Sequence, residues 1–281
     1  MNQPPIAILL PVYRRDTLVR FQRAVESLLA QDYPREALRI YLGVDGELDE
    51  EVDGYVERAD CFYKIVRNKR NRGLAHTLNR LITVLEDEAF VFRMDADDES
   101  LPQRISLQVA FLQAHPEIDV VGGGIQEVDE EGREVFVRRY PTDPEVFKQY
   151  ICRANPLAHP TVCFRREFFA KLPQDDFGGP YPERHRKDQD LALWFLALSR
   201  GLQLANLDQV LVRMLVTADL YARRGAGHAF SECAIYLHGI QLLHGTTLRS
   251  CYPLARLAFR LLPTWLTSRI YRGRPRQMLN K

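Results

Sequence analysis

Apolar positions along this chain change their period in a regular way, and the changes mark its elements. Ile6 to Val12 is almost unbroken apolar sequence, which suits a strand buried on both faces of a parallel sheet. After a turn where Asp16 or Thr17 can cap a helix, Leu18, Phe21, Val25, Leu28 and Leu29 recur at helical spacing, and Tyr33-Pro34 closes that helix. A second strand is expected over Arg39 to Val44, stopped by the turn signal Asp45-Gly46. An acidic helix near Asp49 to Arg58 and a strand around Phe62 to Val66 follow. Gly73 then opens a helix with Leu74, Leu78, Leu81 and Leu85 on one face. The next strand, Phe90 to Met94, runs straight into Asp95-Ala96-Asp97-Asp98. Strand and helix alternating in this rhythm predict a parallel α/β sheet with right-handed crossovers.

The second half is less regular. Pro102 begins a helix that ends near His115-Pro116, and Asp119 to Gly124, Glu134 to Arg139 and Thr161 to Phe164 read as strands. Residues 173 to 187 are rich in glycine, proline and charge and read as a mobile loop, ahead of a helix from Asp188 to Ser199 that stops at Gly201. A hydrophobic fraction of 46% with 27% charged residues belongs to a globular protein. The balance of 38 basic against 37 acidic residues gives no whole-protein field for nucleic acid, and none is expected as a partner. Cys61, Cys152, Cys163, Cys233 and Cys251 are dispersed without a CxxC pair, so they read as reduced thiols rather than a zinc site. No basic n-region precedes the first apolar run, and no stretch reaches the roughly 18 apolar residues that span a bilayer. The expected compartment is cytoplasmic.

Charge is not evenly spread. From Arg249 to Lys281 there are eight basic residues and no acidic one, accompanied by Leu254, Leu257, Phe259, Leu261, Leu262, Trp265, Leu266 and Ile270. That composition suits a segment lying on an anionic membrane, with Pro263 bending or splitting the helix. A helix packed on the body of the protein with its arginines reaching solvent is the competing reading.

Ligands of open parallel sheets bind beyond the carboxyl ends of the strands. Those ends carry Pro11-Val12-Tyr13, Asp45, the stretch from Arg67 to Gly73, and Asp95 to Asp98. Three carboxylates within four residues repel one another unless a cation or hydrogen-bond donors offset them. A hard divalent ion, Mn²⁺ or Mg²⁺, completed by substrate phosphates, is the natural partner. The plainer alternative is a solvated acidic turn ahead of the Pro102 helix.

Taken together, PVYRR, GVDG, NRGLAHTLN and FRMDADDESLPQRISLQVAFLQAHPEIDVVGG, followed in order by NPLAHPTVCFRR, KDQDLALW and DLYARRG, closely resemble the family 2 glycosyltransferases over roughly residues 5 to 230. The resemblance implies an α/β GT-A fold, Rossmann-related, with a mostly parallel sheet flanked by helices. It implies a catalytic domain over residues 1–227, with a nucleotide-binding half of about 1–100 and an acceptor half of about 101–227. A C-terminal helical, basic segment, 228–281, would follow. The activity implied is inverting transfer from a UDP-sugar to a hydroxyl of a glycan or lipid-linked acceptor, at the inner face of a cell membrane. Pro11, Val12, Tyr13 and Asp45 would line the uracil and ribose pocket, and Arg72 and Gly73 would lie against the nucleotide. Asp95 would serve the ribose or sugar, Asp97 the metal, and Asp98 an alternative metal ligand. Asp188 would be the base, with Asp190 two residues on as the alternative, and Arg223 and Arg224 would reach the diphosphate. His159 and Lys187 are candidates for the acceptor side. Asp188 is expected to be held ionised by the helix N-terminus. Lys187 departs from the family, which usually has an acidic residue there. A second departure is the single acid of Asp45-Gly46, where the family often has two. The rival readings are a sugar-phosphate nucleotidyltransferase, whose glycine- and arginine-rich phosphate loop PVYRRDTL lacks, and a catalytically silent nucleotide-binding scaffold.

Overall fold

A computed structural model describes residues 3–174, 179–216 and 226–261. The first apolar run forms β1, Ile6–Val12, and its period-two alternation sends Ile6, Ile8 and Leu10 to one face of the sheet and Ala7 and Leu9 to the other. β2, Leu38–Asp45, β3, Phe62–Asn68, and β4, Phe90–Arg93, run parallel to it in the order β3-β2-β1-β4. Three crossover helices connect them: α1, Leu18–Leu29, α2, Glu50–Arg58, and α3, Leu74–Thr83. The helix expected from Gly73 thus ends before Leu85, which is buried just beyond it.

The sheet continues as β8, Cys163–Arg165, antiparallel to β4, and then as β6, Val120–Val128, and β9, Leu204–Leu215, parallel to each other. The pair β5, Glu99–Ser100, closes the far end on β9, and β7, Glu134–Arg138, pairs with β6. Most paired residues lie in parallel ladders, as the alternation of elements predicts. β5 and β9 were not expected from sequence. α4, Arg104–Ala114, starts two residues after Pro102, and a single turn of helix, α5, spans Phe147–Tyr150.

Two apolar layers sandwich the sheet. One gathers Phe21, Val25 and Leu28 of α1, Val52 and Val56 of α2, and Ile105, Val109 and Leu112 of α4. The other gathers Leu78 and Leu81 of α3, Leu193 and Trp194 of α6 (Gln189–Ser199), and Ile235, Tyr236 and Ile240 of α7 (Ala226–His244). α7 therefore shares the body's core rather than resting on its surface. α8, Cys251–Leu261, buries only Pro253, and its Arg256 and Arg260 pair with Glu232 of α7. No described helix is long and apolar enough to cross a membrane.

Candidate active site

The parallel register brings the carboxyl ends of β1 to β4 to one edge, because Val12 lies beside Val44 and Asp45 beside Asn68. At β2, Asp45 is buried and held by its own chain. Its Oδ1 accepts from Asn68 Nδ2 at 2.9 Å and the Arg72 N–H at 2.8 Å, and Oδ2 accepts from the Gly73 N–H at 2.8 Å. Those amides stand just ahead of α3, so Asp45 fixes the strap 68–73 across the strand ends. Gly46 at φ 89° lets that strap close, since a Cβ there would sit 2.6 Å from the Asn71 nitrogen. Gly73, at φ 95°, faces open space, with nothing within 4 Å of a Cβ built on it. At β1, Val12 is buried while Pro11 and Tyr13 are part-exposed. The Tyr13 N–H donates to Asp16 Oδ2 at 2.8 Å, and the Asp16 N–H returns a bond to the Tyr13 carbonyl at 3.0 Å. Asp16 thus closes the turn after β1 and does not cap α1.

Beyond β4, Asp95, Asp97 and Asp98 each offer an oxygen within 4.8 Å of the others. Asp98 is 3% exposed, its Oδ2 has no hydrogen-bond partner, and burial followed by the Asp95 and Asp97 charges lifts its pKa well above the carboxylate range. Asp97 lies at the rim, open at its surface yet crowded by protein, and is raised by desolvation and by Asp95. Asp16 beside them is pushed up to about 7, by burial first and then by Asp97 and Asp95, against the Tyr13 amide. Clustered oxygen donors with an orphaned buried carboxylate oxygen fit a hard divalent cation. The loop is braced from behind, where β5 pairs with β9 and Arg213 Nη1 meets Glu99 Oε2 at 3.0 Å.

Two arginines missing from the sequence-based set organise this loop. Arg93, the last residue of β4, forks onto both oxygens of Asp95. Burial raises the pKa of Asp190 and the positive charge of Arg93 pulls against it, while at His159 burial lowers the pKa and Arg93 adds to that shift. Arg104 is buried without a carboxylate in contact: its Nη2 donates to the Arg93 carbonyl at 2.7 Å and its Nε to Gln108 at 3.1 Å, and burial pulls its pKa down to about 9. A charged residue inside an otherwise apolar strand end was the available signal for Arg93.

Asp188 stands at the N-cap of α6 in the left-handed region, φ 54° and ψ 26°, the one non-glycine residue at positive φ among the described residues. Its side chain makes no cap hydrogen bond, so the carboxylate is not spent on the helix. Burial, then Asp190 and Glu232, push its pKa up to about 6, against the smaller opposing pulls of Arg260 and Lys187. Removal from water outweighs the lowering pull of Lys187, yet at about 6 the carboxylate is still ionised at pH 7. Lys187 is exposed. Asp190, the alternative, accepts from Asn155 Nδ2 at 2.7 Å.

Within the expected mobile loop, the stretch 179–187 is tied down. Asn79 of α3 donates to the Tyr181 carbonyl at 2.8 Å and accepts the Tyr181 N–H at 3.0 Å, while His76 Nδ1 and Glu183 meet at 3.0 Å. Tyr181 Oη lies 2.9 Å from His159 Nε2, and the imidazole, 8% exposed, leans on Trp194. Burial and Arg93 hold His159 well below its usual pKa, so it is a neutral ring in the wall behind the site. Arg223 and Arg224 lie outside the described residues, as does the tail beyond Leu261.

The model of glycosyl transferase family 2 matches residues 7–172. The amylovoran biosynthesis glycosyltransferase AmsE of Erwinia amylovora is 29% identical over 94% of this chain and 97% of its own length. The UDP-Gal:alpha-D-GlcNAc-diphosphoundecaprenol beta-1,3-galactosyltransferase of Escherichia coli is 25% identical over 99% of each chain. Among solved structures, S. aureus TarS 1-349 in complex with UDP-GlcNAc superposes with a TM-score of 0.66 at 16% identity, covering 91% of this chain and 72% of that one, which is a likeness of fold. A sheet that gathers carboxylates at its strand ends, and a family match over the residues that build them, make this chain a glycosyltransferase that belongs to family 2.

Proposed function

We propose that this enzyme transfers a sugar from a UDP-sugar to a hydroxyl of a glycan or lipid-linked acceptor, with inversion at the anomeric carbon. The observation that carries the reading is the reach of Arg93. One buried guanidinium binds Asp95 of the acidic cluster, and its charge pulls against the burial that raises Asp190 at the start of α6, which supports reading both groups of carboxylates as one site. In that site the acceptor oxygen forms the new bond to the anomeric carbon as the bond to the diphosphate breaks. The electron pair leaves on the diphosphate, and the acceptor proton passes to the Asp188 carboxylate. A divalent ion, Mn²⁺ or Mg²⁺, held by Asp97 and Asp98 would offset the charge that grows on the leaving diphosphate. Asp95, held by Arg93, would accept from the ribose or sugar hydroxyls. On the nucleotide side, Pro11, Val12 and Tyr13 would flank the base, and the spare lone pair of Asp45 Oδ2 would accept from it. Arg72 and the open face of Gly73 would lie against the nucleotide, with Arg223 and Arg224 on the diphosphate. His159 supports the wall through Tyr181, and Lys187 stands where an acceptor would approach.

The relatives favour this donor and acceptor class. The name of the E. coli relative specifies a UDP-sugar donor and a diphosphoundecaprenol-linked acceptor, and TarS is solved with UDP-GlcNAc. A lipid-linked acceptor would place the enzyme at the inner face of the cell membrane, with the basic segment 249–281 as its membrane side. The test is a panel of UDP- and GDP-sugars with Mn²⁺, scored for nucleotide release by wild type, Asp97→Ala and Asp188→Asn. One UDP-sugar should be turned over, Asp97→Ala should lose that turnover, and Asp188→Asn should keep UDP affinity while kcat falls about 10²- to 10⁴-fold. UDP binding with no dependence on Asp97 would remove the metal from the reading. No UDP binding at all would overturn it.

A further inference from the structure

We propose that His228 of α7 is a positioning residue for the Asp188 carboxylate, so that the C-terminal helices complete the catalytic centre. The inference rests on the reading of Asp188 as the base. His228 Nδ1 lies 3.3 Å from Asp188 Oδ2, close in distance but off the axis of an aligned hydrogen bond, and both atoms are closed off from solvent. Such contacts tighten when a reaction complex forms. Holding Oδ2 from one side leaves Oδ1 to meet the acceptor hydroxyl.

Packing sets the place of His228. Positions 228, 232, 236 and 240 follow one another at i, i+4 along a single face of α7. Tyr236 meets Phe195 of α6 edge to face with centroids 5.9 Å apart, and Ile240 is fully buried. Gly239 lets the two helices touch, because a Cβ there would sit 2.2 Å from Phe195 Cγ. At 232, the glutamate receives Arg256 and Arg260 of α8. Among the described residues, the charges acting on Asp188 are Asp190 on its own helix, Glu232 on α7, Arg260 on α8 and Lys187 beside it in sequence. His228 is the titratable group among the described residues that touches it. A neutral ring donating from Nδ1 and a cationic ring both favour the ionised carboxylate over the acid, so either state keeps the base available.

The decisive measurement is the titration of Asp188 followed by carboxyl-carbon NMR on the full chain, its signal assigned by its absence in Asp188→Asn. In His228→Ala the Asp188 midpoint should rise by roughly one pH unit, and His228→Gln, which can still donate, should restore part of the shift. With the UDP-sugar that supports turnover, the acid limb of kcat should move up by the same amount while KM for the donor stays put. An unchanged Asp188 titration in His228→Ala, with thermal unfolding like wild type, overturns the inference even if Asp188→Asn is inert. A shifted titration together with full turnover by Asp188→Asn would instead leave the contact standing and remove Asp188 as the base.

Discussion

Asp188 combines a left-handed backbone, a side chain withdrawn from capping and a pKa lifted to about 6. Each of these works against a merely structural aspartate, since the αL region is uncommon for residues other than glycine and persists where the surroundings over-determine it. The raised pKa has a definite consequence for rate. A base acts only when deprotonated, so kcat should be flat above about pH 6 and fall about tenfold for each unit below it. A pH profile on the donor that turns over checks this; a limb near the ordinary value of 3.8 would mean that burial does not govern the group. The places of Asp45, Asp95, Asp97 and Asp98 were legible in the sequence because they stand at strand ends, where position alone carries meaning, whereas Asp188 stood out through the family resemblance. Asp16 and His228 were not legible. Asp16 reads as one more turn residue until folding sets it beside Asp95 and Asp97, and His228 reads as a helix residue until α7 packs across α6.

Elements were legible where one period ran without interruption. β1 is a nearly unbroken apolar run and α1 a clean helical stripe, and both came out where the pattern put them. β9, at twelve residues the longest strand, was missed because Asp208 and Gln209 cut its apolar pattern in two, at the stretch where its register on β6 shifts. β5 has two residues and no period at all. α7 is the element whose placement matters most for the site, and Gly239 tests it. Ala at an exposed helical glycine gains about 1 kcal/mol from propensity, but forcing a methyl into a filled core costs about 1–3 kcal/mol. With Phe195 at 1% exposure and no free space before it, the second effect should win. Gly239→Ala should lower the unfolding temperature by a few degrees, and Gly239→Val should lower it further, each with a loss in kcat larger than any change in donor KM as His228 is displaced. An unfolding temperature at or above wild type for Gly239→Ala would mean that α7 is not seated on α6 in this way.

At the scale of the whole molecule the charge is polarised in a way that the net value of +1 conceals. Residues 249–281 hold eight basic residues and no acid, leaving 30 of the 38 basic residues against all 37 acidic ones in the body. α8 sharpens this. Its arginines at 256 and 260 turn inward to Glu232, while Tyr252, Leu254 and Leu261 are exposed, the reverse of an ordinary surface helix. An outward apolar face followed by basic chain suits the boundary of an anionic bilayer, where each nearby Lys or Arg adds about 1 kcal/mol and the acidic body is repelled. The attraction acts within about 8 Å at physiological ionic strength, so it should be lost as salt is raised. The full chain should therefore sediment with phosphatidylglycerol-containing vesicles but not with pure phosphatidylcholine ones, and release in high salt. Leu254→Glu, which spoils the apolar face while leaving the Glu232 pairs intact, should weaken binding without changing UDP affinity. Equal sedimentation with both vesicles would point to apolar contact alone, and none with either would leave α8 as a surface helix whose arginines serve only to hold Glu232 beside Asp188.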